Sequence, residues 1–365
     1  MCKKIFVAAT GQHCGKTTIS ISLLHLARQM YGQVAFMKPI GPKCMTFNDI
    51  VVDKDAALMA GIYGLEEDIA FMSPVVLGRG STKQYLDGLQ SREAAEERIR
   101  EACNKLESKS EFLVVEGSGH GGVGSVIGLN NARVARAVDA PVVMVAGGGI
   151  GNVIDAVELN LPLYEREGVE VKLLLVNKLL PEKREESLSY LRKAFAPRGL
   201  MVAGAFDFSP VLADPTLAHI SRLLGHPLLG DTSQRNRIIH HIQLGAASSQ
   251  KVVDGLLPST LLVTTSSRDE LIVTISSLYH IPEYRERIAG LVIPGHAPIS
   301  PITQQILTES GVPYLRIVET TAEVFSKVTD HVSKISADDR EKIDLIRSSA
   351  ERVLRGGVVE ELLKA

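Results

Sequence analysis

The residues best suited to chemistry lie near the start of the chain, where residues 5–18 read IFVAATGQHCGKTT. An apolar run followed by Gly11 and Gly15 predicts a strand and a tight turn. Lys16 and Thr17 then open a pattern typical of an amphipathic helix. Backbone N–H groups in such a turn contact phosphate oxygens, and the helix N-terminus adds partial positive charge. The segment therefore predicts a phosphate-binding loop.

Two side chains of this loop, Lys16 and Thr17, have predicted roles in binding a nucleotide. Lys16 would reach the β- and γ-phosphates of a nucleotide, and the Thr17 hydroxyl would ligate Mg²⁺. The common spacing GxxxxGK(S/T) places its first glycine at position 10, where this chain has Thr10. The flanking strand and helix argue against a chance match. The predicted nucleotide-binding residues of the loop are Gly11, Gln12, His13, Cys14, Gly15, Lys16, Thr17 and Thr18.

The motifs that follow resemble dethiobiotin synthetase and the similar N-terminal domain of some bacterial phosphotransacetylases, over residues 1 to about 216. The similar segments are, in order, residues 37–41 (MKPIG), Asp55 in DKDAALMA, residues 114–119 (VVEGSG), residues 175–178 (LVNK) and residues 209–216 (SPVLADPT). The resemblance implies ATP and Mg²⁺ as ligands, with Lys38 facing the transferred phosphoryl group. It also implies that Asn177 and Pro210 contact adenine, that the protein is a homodimer, and that a second small-molecule substrate binds.

Electrostatics supports a metal site among these residues. Carboxylates at the ends of neighbouring strands, facing a phosphate loop, repel one another unless a cation lies between them. Mg²⁺ prefers hard oxygen ligands together with phosphate. We therefore predict one metal shell formed by Thr17, Asp55 and Glu116. Lys16 and Lys38 are the predicted catalytic residues, since both cations could stabilise charge on the γ-phosphoryl group.

Several of these assignments have alternatives. Asp55 could cap a helix or be a solvated charge, and Asp53 is a rival metal ligand two residues away. Lys38 could be a surface lysine. Asn177 could cap a turn instead of contacting adenine. His120, in the glycine-rich residues 117–125, could be a base, a phosphate contact or simply a loop residue.

The segment after Lys38 departs from the synthetase pattern. The family has small hydroxyl residues there that hold its diamine substrate, whereas this chain has Gly41, Pro42 and Lys43. We therefore expect a different substrate pocket.

The elements that position these residues follow from apolar runs bounded by Gly, Pro or Asn. Continuous rather than alternating apolarity is typical of strands buried on both faces, and helical patterns lie between the runs. The first 210 residues therefore predict an α/β domain with a mostly parallel sheet. The predicted strands are residues 5–9, 34–37, 112–115, 142–146, 173–176 and 201–206.

A second, smaller α/β domain is predicted after a proline-containing stretch at residues 207–215. It resembles the DRTGG domain of those phosphotransacetylases, with residues 264–269 (TTSSRD) between a strand and a helix, although the family's paired glycines are absent. It could be a ligand sensor or an inert packing module. Ser336 and Asp339 have capping-box spacing at the start of a C-terminal helix. The predicted divisions are residues 1–216, 217–335 and 336–365, and the second contains strands at residues 259–264, 291–294 and 314–318.

Composition excludes some classes of function. The formal net charge is -2 and the basic residues are dispersed, so we expect no binding to nucleic acid or to a membrane. No apolar segment approaches the roughly 20 residues that span a bilayer. The cysteines show no CxxC pair and are expected to be reduced thiols in a cytoplasmic protein. They are Cys2, Cys14, Cys44 and Cys103.

Three functions are compatible with this sequence. The first is a P-loop NTPase that couples ATP binding or hydrolysis to a regulatory or assembly role. The second is an ATP-dependent synthetase of the dethiobiotin or cobyrinic acid a,c-diamide synthase type, which phosphorylates a carboxylate or carbamate for attack by an amine. No cysteine follows Cys103, so a glutaminase nucleophile of the latter type is not expected. The third is a non-catalytic, nucleotide-gated scaffold.

Overall fold

The computed structural model describes residues 2–330 and 335–355 and Leu363. These residues divide into two compact units. The first unit lies within Met1–Phe208 and Ile343–Ala365, and the second unit is Ser209–Lys342. None of the described helices combines the length and apolarity that crossing a bilayer requires.

The elements alternate along the chain as expected for an α/β protein. The strands are β1 (Lys3–Ala9), β2 (Val34–Met37), β3 (Ile40–Gly41), β4 (Cys44–Phe47), β5 (Ile50–Asp53), β6 (Val75–Val76), β7 (Phe112–Glu116), β8 (Val142–Gly147), β9 (Val171–Leu179), β10 (Met201–Asp207), β11 (His241–Leu244), β12 (Thr260–Val263), β13 (Ile288–Ile293) and β14 (Tyr314–Arg316). The helices are α1 (Lys16–Met30), α2 (Lys54–Tyr63), α3 (Ile69–Met72), α4 (Ser81–Leu86), α5 (Arg92–Glu107), α6 (Asn131–Ala137), α7 (Ile150–Glu167), α8 (Arg184–Phe195), α9 (Leu217–Leu224), α10 (Ser249–Asp254), α11 (Asp269–Leu278), α12 (Pro282–Arg287), α13 (Pro301–Ser310), α14 (Thr321–Thr329) and α15 (Arg340–Leu354).

The first unit is built on a parallel sheet with the strand order β10-β9-β8-β1-β7-β2. All six strands predicted from the apolar runs are in this sheet, and the predicted α/β class with a mostly parallel sheet is confirmed. Strands β1 and β7 are neighbours, with Val7 opposite Glu116. The carboxyl ends of β1, β7 and β2 therefore meet at one edge, which is where parallel sheets of this kind carry their sites.

Helix α1 covers this sheet with its apolar face. Ile19, Leu23, Leu24 and Leu26 are all buried. The helix begins at Lys16 directly after the predicted phosphate-binding turn and ends where Tyr31 adopts an extended conformation. Its N-terminus consequently points into the same edge of the sheet.

A hairpin that the sequence analysis missed lies between β2 and α2. Strands β4 and β5 are antiparallel and joined by Asn48 and Asp49, both with positive φ (46° and 62°). Two such residues suit a tight hairpin turn because Asn and Asp tolerate the left-handed region. The hairpin ends at Asp53, so it delivers Asp53 and Asp55 to the start of α2.

The second unit contains the parallel sheet β11-β12-β13-β14. The three strands predicted here are present as β12, β13 and β14, whereas β11 was not predicted. Apolar clusters cover both faces of the sheet. Along β12, Leu262 belongs to one cluster, and Leu261 and Val263 belong to the other. That alternation follows from the two-residue period of a strand.

The predicted C-terminal helix begins at Arg340 instead of Ser336. Only half of the predicted capping box forms: the Asp339 carboxylate accepts from the Ser336 N–H at 2.9 Å, while the Ser336 hydroxyl is buried without a partner. Four apolar residues of this helix are buried: Ile343, Ile346, Ala350 and Leu354. The predicted helix continues to residue 365, but residues 356–362, 364 and 365 of it lie outside the described residues.

Candidate functional site

The turn between β1 and α1 has the backbone form of a phosphate-binding loop. His13 and Gly15 both have positive φ (59° and 91°), and left-handed residues in a turn are typical of loops whose backbone N–H groups bind anions. Gly15 is required for a second reason: an added Cβ would lie 1.9 Å from Nδ2 of Asn177. Gln12 and His13 are exposed at the tip, and the rest of residues 11–18 are half-buried or buried.

Lys16 lies across this turn. Its Nζ donates to the carbonyl oxygen of Gly119 at 2.6 Å and of Gly11 at 3.5 Å. Burial lowers the pKa of Lys16, and the nearby Glu116 opposes that effect. The side chain thus connects the loop after β1 to the glycine-rich loop after β7.

Lys38 lies between the two predicted metal-binding carboxylates. Its Nζ is 2.8 Å from Oδ2 of Asp55 and 2.7 Å from Oε1 of Glu116, and it also donates to the carbonyl of Gly117 at 3.1 Å. Lys38 is 3% exposed and Glu116 1% exposed. Burial by itself lowers the pKa of Lys38, but the two carboxylates outweigh it and hold the pKa above its ordinary value. Lys38 is therefore a buried charged residue and not a surface lysine.

The donor set fits a Mg²⁺ ion bound together with phosphate. Oε2 of Glu116 is buried and has no hydrogen-bond partner, and Oγ1 of Thr17 lies 3.4 Å from Oε1 of the same carboxylate. Among the described residues, no group of three or more His, Cys, Asp and Glu side chains could hold a metal ion alone. That is the usual situation for Mg²⁺, which binds one or two carboxylates and completes its shell with water and phosphate.

Asp53 and Asp55 have different surroundings. Oδ1 of Asp53 accepts from the N–H of Asp55 at 2.9 Å and caps α2, and Oδ2 accepts from the N–H of Lys43 at 2.9 Å. The capping alternative considered for Asp55 thus applies to Asp53. Asp55 instead faces Lys38, so Asp53 is the weaker candidate for a metal ligand.

The glycine-rich loop after β7 is held by the side chains of Asn131 on α6 and Asn160 on α7. Asn131 accepts from the N–H of Ser118 at 2.9 Å and donates to the carbonyls of Ser118 and His120, each at 2.7 Å. His120 itself is exposed, and its Nδ1 accepts from the N–H of Gly122 at 3.2 Å. The role of His120 as a base, a phosphate contact or a loop residue is not decided by these bonds.

Asn177 and Pro210 were the predicted adenine contacts. Nδ2 of Asn177 donates to the carbonyl of Cys14 at 3.0 Å, and Oδ1 accepts from the N–H of Lys178 at 2.9 Å. The side chain of Asn177 thus contacts the phosphate-binding loop. Pro210 opens a short 3-10 turn in the second unit. The contacts of Asn177 and Pro210 with adenine both stay predictions.

Sequence reasoning missed two buried asparagines near these loops, Asn131 and Asn160. They are 4% exposed and lie on α6 and α7. A signal for them exists in the sequence, because an amide at a position facing an apolar sheet needs partners that packing does not supply.

Comparison with known proteins agrees with this geometry. Residues 3–223, more than half of the chain, match the model of a family described as an AAA domain. The chain belongs to the AAA domain family. This AAA domain is followed by a match to the DRTGG domain over residues 220–331. The resemblance drawn from the sequence is confirmed: a P-loop NTPase domain like that of dethiobiotin synthetase precedes a DRTGG domain.

Similar curated proteins fall into two groups. The phosphate acetyltransferase of Pseudomonas putida is 24% identical over 358 residues, covering 93% of this chain and 49% of that protein. The ATP-dependent dethiobiotin synthetase of Clostridium novyi is 23% identical over 182 residues, covering 48% of this chain and 76% of that protein. The chain spans about half the length of the phosphate acetyltransferases that it matches. The AAA domain is thus a P-loop NTPase domain related to both groups.

Solved structures resemble the chain at the level of fold alone. The MinD cell division protein of Aquifex aeolicus is 14% identical with a TM-score of 0.35, covering 58% of this chain and 84% of that one. A putative plasmid partition protein of Borrelia burgdorferi bound to AMPPNP is 11% identical with a TM-score of 0.36, covering 56% of this chain and 86% of that one.

Proposed function

We propose that the first unit binds ATP together with Mg²⁺ and couples its binding or hydrolysis to a regulatory or assembly role. The observation that carries this proposal is the carboxylate of Glu116, which is buried beside Thr17 and Lys38 with one oxygen unpartnered. A buried carboxylate oxygen without a donor is costly, and a cation that enters with a nucleotide would satisfy it.

The side chains would have distinct roles with a nucleotide in place. Lys16 would stabilise charge on the β- and γ-phosphates, and Lys38 would stabilise charge on the transferred phosphoryl group. Thr17, Asp55 and Glu116 would hold Mg²⁺, which supplies charge neutralisation between phosphate oxygens. The amides of residues 11–15 would surround the phosphate chain.

A synthetase that phosphorylates a carboxylate or carbamate for attack by an amine is the second candidate. It is favoured by the buried Lys38 and by the relatives named ATP-dependent dethiobiotin synthetase. The segment after Lys38 argues for a substrate other than the diamine, because Gly41, Pro42 and Lys43 provide no hydroxyl groups. A homodimer and a second small-molecule ligand belong to either proposal, and sedimentation velocity tests the dimer.

Nucleotide binding is tested by calorimetry with Mg-ATP. We expect Lys16→Ala to abolish binding, because the lysine ammonium is the principal charge facing the phosphates. Lys109→Ala is the control, because Lys109 is exposed, pairs with Asp68 and is distant from Lys16 in the sequence. This variant should bind Mg-ATP like the unmodified protein. Equal affinity of the Lys16→Ala variant and the control would contradict the proposal.

Turnover separates the candidate functions. ADP release is measured alone and with panels of carboxylates and amines. Strong stimulation by one pair of compounds supports the synthetase, and slow unstimulated release supports the regulatory role. Binding of Mg-ATP without ADP release supports a nucleotide-gated scaffold.

A further inference from the structure

A phosphate-binding loop must solve a problem of backbone orientation. In a planar trans peptide, the C=O of one residue and the N–H of the next point in opposite directions. If the amides of the loop face a phosphate, the preceding carbonyls face the protein and need hydrogen-bond donors there. The residues that supply those donors therefore set the direction of the amides.

Asn160 supplies such a donor. It lies on α7 and is 4% exposed. Its Nδ2 donates to the carbonyl of Thr10 at 3.2 Å, and to the carbonyl of Ala156 on its own helix at 2.8 Å. Because the Thr10 carbonyl accepts from Asn160, the N–H of Gly11 points away from Asn160.

The other end of the same amide holds the glycine-rich loop. Oδ1 of Asn160 accepts from the N–H of Gly121 at 2.8 Å. An added Cβ on Gly121 would lie 2.7 Å from that oxygen, so this loop approaches the asparagine as closely as a glycine allows. Two residues earlier, the carbonyl of Gly119 accepts from Lys16. One side chain therefore connects both loops that flank the phosphate position.

Asn177 shows the same arrangement at the other end of the turn. Its Nδ2 donates to the carbonyl of Cys14, so the N–H of Gly15 points away from Asn177. The first and last amides of the turn are thus both oriented by buried asparagine side chains, which are 4% and 6% exposed.

We propose that Asn160 is a positioning residue for nucleotide phosphate. Its Nδ2 orients the Gly11 amide, and its Oδ1 holds the glycine-rich loop where the Gly119 carbonyl accepts from Lys16. This proposal rests on the proposed function, since it assigns a role in that same site. It concerns phosphate only, because both bonds go to loops at the phosphate end and neither goes to a group that would contact a base.

The test compares Asn160→Ala and the nearly isosteric Asn160→Leu with Asn130→Ala. Asn130 is buried and caps α6 through a bond to the N–H of Arg133, so its removal destabilises the same region without touching either loop contact. Affinities for Mg-ATP and for adenosine are measured by calorimetry and by NMR titration. Loss of one hydrogen bond corresponds to a change of up to about tenfold.

We expect both Asn160 variants to bind Mg-ATP about tenfold more weakly while their affinity for adenosine, which has no phosphate, changes less than twofold. Asn130→Ala should melt at a lower temperature and keep both affinities. Equal weakening of ATP and adenosine binding, or the same loss of ATP affinity in Asn130→Ala, would overturn the proposal, because either result describes a general structural defect.

Amide exchange separates this proposal from the proposed function. In nucleotide-free protein, the Gly121 amide should exchange faster in both Asn160 variants than in the unmodified protein and in Asn130→Ala. Unchanged exchange at Gly121 would overturn the positioning role. If Gly121 exchange accelerates as expected but the unmodified protein binds no Mg-ATP, the proposed function fails and the positioning role, which rests on it, fails with it.

Discussion

At the scale of single residues, the site is organised around charges that are buried and compensate one another. Lys38 contacts Asp55 and Glu116 at 2.8 and 2.7 Å, and a buried ion pair is costly to break because the remaining charge keeps its desolvation penalty. The metal prediction had assumed that a cation lies between these carboxylates. In the structure the ammonium of Lys38 provides that cation.

Lys38→Met should therefore have a stability that depends on Mg²⁺. Without its ammonium the two carboxylates repel each other, and we expect the free energy of unfolding to fall by about 3 kcal/mol in EDTA. Millimolar Mg²⁺ should restore part of that loss, since the ion can neutralise the carboxylates. Urea denaturation followed by circular dichroism measures both values.

Lys16→Met is the matched control for this measurement. Lys16 bonds to carbonyl oxygens, so its loss leaves no unpaired carboxylate and should create no dependence on Mg²⁺. The same Mg²⁺ effect in both variants, or none in Lys38→Met, would contradict a metal shell at Asp55 and Glu116.

Substitutions at Asp53 and at Asp55 should have different effects, the first on stability and the second on nucleotide binding. Asp53→Ala removes the cap of α2 and should cost about 1 kcal/mol of stability with Mg-ATP affinity retained. Asp55→Asn should leave the cap in place and weaken the binding of Mg-ATP more than the binding of metal-free ATP. Denaturation and calorimetry on the two variants measure these effects, and the reverse pattern would make Asp53 the metal ligand.

At the scale of elements, the turn between β1 and α1 is specified by contact as well as by conformation. Gly15 needs a positive φ, as does Gly64 at the end of α2, but only Gly15 has a side chain within reach of an added Cβ. Gly64 has nothing within 4 Å of that position. Comparing alanine substitutions at Gly15 and Gly64 therefore distinguishes the cost of backbone strain from the cost of steric contact.

Gly15→Ala should destabilise the protein more than Gly64→Ala. The left-handed conformation alone costs about 1 kcal/mol in either variant, and at Gly15 the alanine must also displace the amide of Asn177. In an Asn177→Ala background the cost of Gly15→Ala should fall toward that of Gly64→Ala. A double-mutant cycle measured by denaturation checks this, and an identical cost in both backgrounds would refute the contact.

At the scale of the whole molecule, the chain leaves the first unit after Phe208 and returns to it at Ile343. The returning helix α15 contributes buried residues to the first unit, including Ile346 at 1% exposed. On its polar side, Glu351 accepts from Nε2 of His25 and from Nε2 of Gln29, at 2.9 and 2.7 Å. Both residues lie on α1, the helix that begins at the phosphate-binding turn.

Ile346→Ala should therefore destabilise the first unit selectively. Truncating a buried isoleucine costs about 3 kcal/mol, whereas Asp344→Ala, at a position whose side chain is 73% exposed, should cost less than about 0.5 kcal/mol. Hydrogen exchange measured by mass spectrometry should show faster exchange in peptides from α1 and unchanged exchange in peptides from β12 and β13. Equal acceleration in both units would contradict the assignment of α15 to the first unit.

The sequence by itself determined the elements whose signal is local. Continuous apolar runs predicted all six strands of the first sheet, and the spacing of Gly15, Lys16 and Thr17 predicted the turn at its edge. Such patterns are readable because burial on both faces and left-handed glycines constrain neighbouring residues along the chain. Strand β11 was missed because none of its four residues is buried, so it has no continuous apolar run.

Only the tertiary structure decided which polar group meets which. Asp53 and Asp55 are equivalent in sequence, and their roles separate because the hairpin β4–β5 places one at the cap of α2 and the other against Lys38. Asn160 contacts Thr10, 150 positions away, and α15 contributes to the first unit although the second unit separates it from β10 along the chain. Contacts between distant positions depend on how strands and helices pack in space, and no local pattern of residues encodes that packing.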